Sequence, residues 1–477
     1  MGDRYETPLC KRYASRRMQY IFSDDFKFTT WRKLWIALAE SERALGIPIT
    51  EQQISELKAN ADNLNLDRAT EIGHTVRHDV MSHILAYGEQ CPAAKPIIHL
   101  GATSCYVGDN TDIIQMRLAL EQIRSLLIAA LRAVCGFAEK YKALPTLAYT
   151  HFQTAQPTTV GKRATLWAYD LVCDIEQLDH ALANFKLLGC KGATGTCASF
   201  LELFDGDLSK VRELERMIAA RMGFESCVPV SGQTYTRKID FNVLSVLAGI
   251  AQSAHKFSND IRLLAHMKEI EEPFEAGQVG SSAMPYKRNP MRSERIASLS
   301  RHILSNIINP EFTAAGQWLE RTLDDSANRR LAIPEMFLAT DAVLSLYINV
   351  ISGAVVYPGV IARHMRDELP FIASENILMY CVKQKGGDRQ TLHEAIRRHS
   401  QAAANEIKQN GRTNDLLDRI LADPAFGITR DELDELLDPS KFTGAAEAQT
   451  DAFLAEVTAP ILAASSDGAA EGAEINV

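Results

Sequence analysis

The stretch VLSVLAGIAQSAHKFSNDIRLL, Val243 to Leu264, decides the fold. Its apolar positions Val243, Leu247, Ile250, Ala254, Phe257, Ile261 and Leu264 advance in alternating steps of four and three. Val243, Ile250, Phe257 and Leu264 lie seven apart, and so do Leu247, Ala254 and Ile261. That period puts all of them on one stripe of a helix, so the stretch predicts a bundle seam. Working outward, Ile113, Met116, Leu120, Ile123, Leu127, Leu131, Val134 and Phe137 repeat the pattern. Further long helices are expected from Pro157 to about Leu188, after Pro290, and after Pro334. Strand signals are sparse. Helices of this length pack best as a near-parallel bundle.

Glycine and proline cluster between these segments, at 101–108, 189–195, 277–290 and Tyr357-Pro358-Gly359. The chain has 477 residues, too many for one ordinary core. The expectation is an all-α fold of three helical domains: 1–103, a central long-helix bundle over 104–356, and 357–477. The last ends in a small, acidic tail from Ala463 that reads as disordered. A net charge of −9 argues against general nucleic-acid binding, which needs a broad basic surface. Nine scattered cysteines without a CxxC favour reduced thiols over disulfides or a zinc site. The N-terminus lacks an apolar signal core, and no run of about 18 apolar residues suggests a membrane span. Gly2 fits myristoylation, but Glu6 stands where that motif wants Ser or Thr. The chain reads as cytosolic.

A bundle needs apolar seams and charged outer faces, yet polar clusters fill the connections. They are Arg77-His78-Asp79, HLGATSC at 99–105, THFQ at 150–153, SGQTYTR at 231–237, GSSAMPYKRNPMRSER at 280–295 and ERTLDDSANRR at 320–330. Singly, each has an ordinary explanation. His151 beside an aromatic suits a structural hydrogen bond, and Thr103-Ser104 or Asp109–Thr111 suit a helix cap. Jointly they carry charge. Lys287, Arg288, Arg292, Arg295 and Arg301 face a single acid, Glu294, and Arg321, Arg329 and Arg330 form a second knot with Asp324 and Asp325. Arginine's planar fork suits carboxylate and phosphate, so a small anionic ligand is implied. No GxxxxGK[ST] or GxGxxG supplies a glycine cradle, so side chains must hold it. Ser281 sits on a glycine hinge without a GxSxG elbow, which points to proton abstraction over acyl transfer. A neutral hydroxyl is a poor base near pH 7. Cations nearby, such as Lys287, and closure against water lower that cost.

The loop GSSAMPYKRNP resembles the GSSxMPxKxNP signature of the fumarase/aspartase superfamily. With MRSER, HLGATSCYVGDN, YTHFQTAQPTT, KGATGT and ERTLDDSANRR, the chain resembles the adenylosuccinate lyase family in particular, from Arg12-Tyr13 to SKFTGAAEAQ at 440–449. The resemblance implies β-elimination of fumarate from adenylosuccinate, giving AMP, and from the succinyl-carboxamide imidazole ribotide SAICAR, giving AICAR. It implies Ser281 as general base and His151 as general acid, with His78, Lys287 and Glu294 supporting them. Substrate contacts implied are Arg12, Tyr13, Arg77, His78, Asp79, Thr103, Ser104, Gln233, Lys287, Asn289, Arg295, Arg321, Ser326 and Arg330. No metal or organic cofactor is implied. The likeness further implies a homotetramer whose central bundles form one core and whose sites draw on three chains. Another fumarate-releasing lyase of the superfamily, or a non-catalytic structural relative, is the alternative reading.

Overall fold

The computed structural model describes residues 4–275 and 277–465, so the acidic tail from residue 466 onward lies outside the described residues. The architecture is helical. The elements that matter here are α1 (Asp24–Ala44), α2 (Asp79–Gln90), α3 (Ser104–Tyr141), α4 (Val160–Ala183), α5 (Lys238–His266), α6 (Met291–Asn306), α7 (Asp324–Ser352) and α8 (Pro358–Ile372).

Helices α3 to α7 pack side by side as the bundle. The seam read from α5 faces inward: Leu247, Ile250, Phe257 and Ile261 are fully buried, with Val243, Ala254 and Leu264 nearly so. Phe257 stacks on Tyr347 of α7 at a centroid separation of 3.8 Å. Side chains of this size remove enough apolar area from water to drive the association. Helices α3 and α4 approach closely at Gly161, where an added Cβ would lie 2.3 Å from the Ala138 carbonyl oxygen. Any larger residue there would force the two helices apart.

Three details differ from the sequence reading. Helix α3 starts at Ser104 with Thr103 at its cap position, so Asp109–Thr111 lie inside the helix and are buried. Helix α7 begins ten residues before Pro334 and runs through it. Proline removes one donor, the N–H that would reach the carbonyl of Arg330, and the packed helix on either side absorbs that loss. Finally, 145–159 forms an antiparallel hairpin, β1 (Pro145–Thr150) and β2 (Gln153–Thr159). Its short polar strands lack the apolar alternation that marks a half-buried strand.

The buried clusters also cross the linear boundaries. Trp31, Leu34, Trp35 and Leu38 of α1 pack with Tyr87 and Tyr106, and equally with Phe200, Leu214 and Ile218. Leu9, Met18 and Ile21 pack into the bundle core, where Asp341 accepts hydrogen bonds from the Ser15 N–H at 2.6 Å and its hydroxyl at 2.9 Å. A third cluster, with Ile377, Leu392, Leu416 and Phe426, gathers the C-terminal helices. Among the described residues one helix, α7, is long and apolar enough to cross a membrane, and 78% of that window is buried inside the bundle.

Candidate active site

One end of the bundle holds a cavity of about 660 Å³. Its lining draws on four of the polar clusters: Arg77, His78 and Asp79; Ser104; Gln233; and Arg321, Ser326 and Arg330. Local structure explains each position. Arg77 adopts a left-handed conformation (φ 49°) as the C-cap of the preceding helix, turning the chain sharply. His78 is then the N-cap of α2: its Nδ1 accepts the Met81 N–H at 3.1 Å. That bond places the ring proton of the neutral imidazole on Nε2, which lies 3.5 Å from Ser104 Oγ. Thr103 is one residue further out at the start of α3. The Gln233 amide donates to the Ala193 carbonyl at 3.2 Å, and its backbone N–H donates to Glu320 O at 3.0 Å. Arg321 lies against Cys105 Sγ. Burial pushes the Cys105 thiol up to about 12, so it stays a neutral thiol at the wall.

Beneath the cavity lies a buried ionic network that sequence reasoning missed. Arg237 donates to Asp109 at 2.9 Å and to Asp325 at 2.7 Å. Arg329 donates to Asp240 at 2.7 Å and to the Tyr235 hydroxyl at 2.6 Å, and pairs with Asp112 at 2.8 Å. The network ties the N-terminal parts of α3, α5 and α7 together. Its residues stand 88 to 128 positions apart in the main pairs, so no local signal could have linked them. It also revises the charge count. Arg329 is taken up by this network, and Arg292, 1% exposed, holds Glu275, the Asn349 side chain and the Pro273 carbonyl. Two arginines of the cationic knots are therefore internal braces.

The other expected site residues stand at the opposite end. At roughly 1.5 Å per residue the 29 residues of α5 span about 43 Å. The cavity adjoins its first turn, and the 280–295 loop follows its last. The hairpin meets that far end too: Tyr149 and Thr154 share a smaller cavity with His266, Met267 and Lys268. His151 and Phe152 form the hairpin tip, both exposed and both left-handed (φ 53° and 56°). Positive φ at both central residues is what a two-residue turn of this hand requires, and Asn-Gly is its usual occupant. His and Phe hold it at a cost.

In the loop, Gly280 touches Lys287 so closely that an added Cβ would lie 2.0 Å from the Lys287 carbonyl oxygen. Asn289 donates to the Gly280 carbonyl at 2.8 Å, closing the loop on itself. Ser281 Oγ accepts two backbone N–H groups, from Ala283 at 3.3 Å and Met284 at 3.1 Å. Lys287 and Glu294 are exposed, Glu294 in the first turn of α6. Nearby, the Arg295 guanidinium lies 5.4 Å from the Tyr13 ring and that of Arg12 lies 5.8 Å from it, so these three expected contacts gather in one place. One chain thus brings together two groups of site residues and keeps them apart.

The family described as "Lyase" matches residues 25–305, and that described as "Adenylosuccinate lyase C-terminus" matches 370–453. The chain is 51% identical to the adenylosuccinate lyase of Schizosaccharomyces pombe, covering 94% of each protein. It belongs to the adenylosuccinate lyase family. The adenylosuccinate lyase of Saccharomyces cerevisiae is 49% identical over 95% of this chain and 94% of that protein. Members of the family are lyases, and this chain is an enzyme of that class. In fold, it matches the 3-carboxy-cis,cis-muconate lactonizing enzyme of Pseudomonas putida with a TM-score of 0.83. The match spans 95% of this chain and 99% of that one at 22% identity. A fumarate lyase from Mesorhizobium sp. matches at a TM-score of 0.78 and 20% identity, over 93% of this chain and 99% of that one.

Proposed function

We propose that the chain cleaves adenylosuccinate to AMP and fumarate, and SAICAR to AICAR and fumarate, as a cytoplasmic homotetramer. The observation that carries this reading is the convergence of residues from four separate motifs on one cation-rich cavity. Both substrates carry two carboxylates and a phosphate, and Arg77, Arg321 and Arg330 suit such a ligand.

The reaction is a β-elimination. Ser281 takes the proton from the carbon beside a succinyl carboxylate. The electron pair left behind delocalises into that carboxylate, then forms the carbon–carbon double bond as the carbon–nitrogen bond breaks. His151 donates a proton to the departing nitrogen. The loop favours the basic form of Ser281: two N–H groups already point at its Oγ, and hydrogen bonds to an anion stabilise it. Lys287 and Asn289 meet the succinyl carboxylates, while Arg12, Tyr13, Arg295, Arg321, Ser326 and Arg330 take the remaining anionic groups. His78, anchored by its Nδ1 bond, presents Nε2–H to the ligand, with Glu294 orienting His151 or Lys287.

Because the two groups sit at opposite ends of one bundle, a complete site needs neighbouring chains. Large exposed apolar side chains such as Phe312, Trp318 and Leu319 suit surfaces that neighbours cover. Fumarate release, followed by absorbance with each substrate, tests the reaction. Subunit exchange tests the assembly: mixing inactive His78→Ala and Ser281→Ala proteins should restore part of the activity, since some sites would combine an intact cavity end from one chain with an intact far end from another. Verified exchange without recovered fumarate release would overturn the shared site.

A further inference from the structure

We propose that Lys27 is an additional anion-binding residue of the 660 Å³ cavity. This rests on the reading of that cavity as the substrate site. Asp24, Lys27 and Trp31 of α1 line it too, and none of the three lies in the polar motifs. Their spacing of three and four puts them on one face of α1.

The charge balance of the wall gives Lys27 a role. Six cationic side chains line the cavity: Lys27, Arg77, Arg237, Arg321, Arg329 and Arg330. Arg237 and Arg329 are saturated by Asp109, Asp325, Asp240 and Asp112. That leaves four cations against two lining carboxylates, Asp24 and Asp79. The Lys27 ammonium is held over two aromatic faces, 4.8 Å from the Phe28 ring centroid and 5.1 Å from that of Trp31. Such contacts fix the direction of a flexible side chain while using none of its three N–H donors. Asp79 Oδ2 lies 4.0 Å from Lys27 Nζ and 4.0 Å from the Arg330 guanidinium. Both separations exceed hydrogen-bond length, so Asp79 stands between two cations without saturating either. An anionic oxygen entering between Lys27 and Arg330 would find donors on both sides. Lys27 is therefore an aimed ammonium with spare donors, on a helix that the motif residues do not use.

The test compares Lys27→Gln, Lys27→Arg and wild type by steady-state kinetics with each substrate and by inhibition with inorganic phosphate. Tetramer mass and thermal unfolding are measured on the same samples. Lys27→Gln should raise KM and the phosphate inhibition constant about tenfold or more, with kcat within about threefold of wild type. Lys27→Arg should recover most of the loss, because it keeps the charge over the rings. Unchanged KM and phosphate inhibition in Lys27→Gln would overturn the proposal. So would a fall in kcat alone, which would mark a residue acting through Asp79, or equal losses in both variants, which would mark a packing role. Arg321→Ala and Arg330→Ala serve as reference. If they too leave KM and phosphate inhibition unchanged, the substrate-site reading fails first; if only Lys27→Gln does, this inference fails alone.

Discussion

The two ends of the bundle are built differently. At the cavity end, polar side chains ride on the starts of α2, α3 and α7 and rest on a buried network in which Arg237 holds Asp109 and Asp325 while Arg329 holds Asp240. At the far end, Ser281 and Lys287 lie in a loop closed by a few local bonds, and His151 stands exposed at a hairpin tip. A rigid framework orients a ligand in advance, which lowers the entropy cost of binding and reaction. An open loop and a projecting turn reach outward, as the proposed sharing of sites between chains requires. Under the proposed function, the cavity end would mainly bind and the far end would transfer protons.

The largest expected effect falls on the far end. Ser281→Ala should lower kcat by roughly 10²–10⁴-fold, as loss of a general base does, with folding unchanged. A variant with near-normal kcat in the fumarate assay would move the base elsewhere and erase the contrast. Next comes the framework. Arg237→Met leaves the Asp109 and Asp325 carboxylates buried and unpaired, which costs about 3–5 kcal/mol. Thermal unfolding should show a large fall in Tm; a shift of a degree or two would mean the network is dispensable.

Asp174 on α4 gives a pH signature of the bundle between the ends. Burial pushes its carboxyl up to about 7, opposed by a hydrogen bond from Ser253. A raised folded-state value means the native protein binds a proton that the unfolded chain has released. This group's contribution is therefore fully present below about pH 4 and is lost as pH rises towards 7. Asp174→Asn should raise Tm at pH 8 and flatten its dependence between pH 5 and 7. An unaltered profile would show that Asp174 is ionised in the fold.

Smaller effects sharpen the division of labour. Arg321→Ala and Arg330→Ala should each cost roughly 1.5–3 kcal/mol of binding, read as a higher KM with kcat little changed. A drop in kcat alone would place them with the chemistry. Phe152→Gly should relieve left-handed strain at the hairpin tip and stabilise the fold by up to about 1 kcal/mol. If Phe152 instead packs on a neighbouring chain, the same change would destabilise the tetramer, and size measurements at low concentration would show it.

Much of the fold was legible because helical periodicity is a local property. The seven-residue spacing from Val243 to Leu264 is enough to place those residues on one inward stripe, whatever packs against it. Composition likewise carried the anionic ligand, since arginine-rich connections serve little purpose in a bundle. The resemblance of the motifs to one family named the candidate residues. What depended on tertiary structure was how those residues are used. Arg292 and Arg329 read as ligand contacts or surface charge in the sequence, and only burial against Glu275, Asn349, Asp240 and Asp112 makes them braces. Asp109 read as a cap, and only the start of α3 at Ser104 puts it inside. His151 gave no strand signal, because its turn is imposed by strands whose polar faces carry no period. Lys27 belongs to no motif, and its aim depends on two aromatic rings and a carboxylate far along the chain. Spacing along a helix sets which side chains share a face. Which charges neutralise one another, and which remain available to a ligand, is decided by contacts between segments distant in sequence, where burial strengthens each pairing.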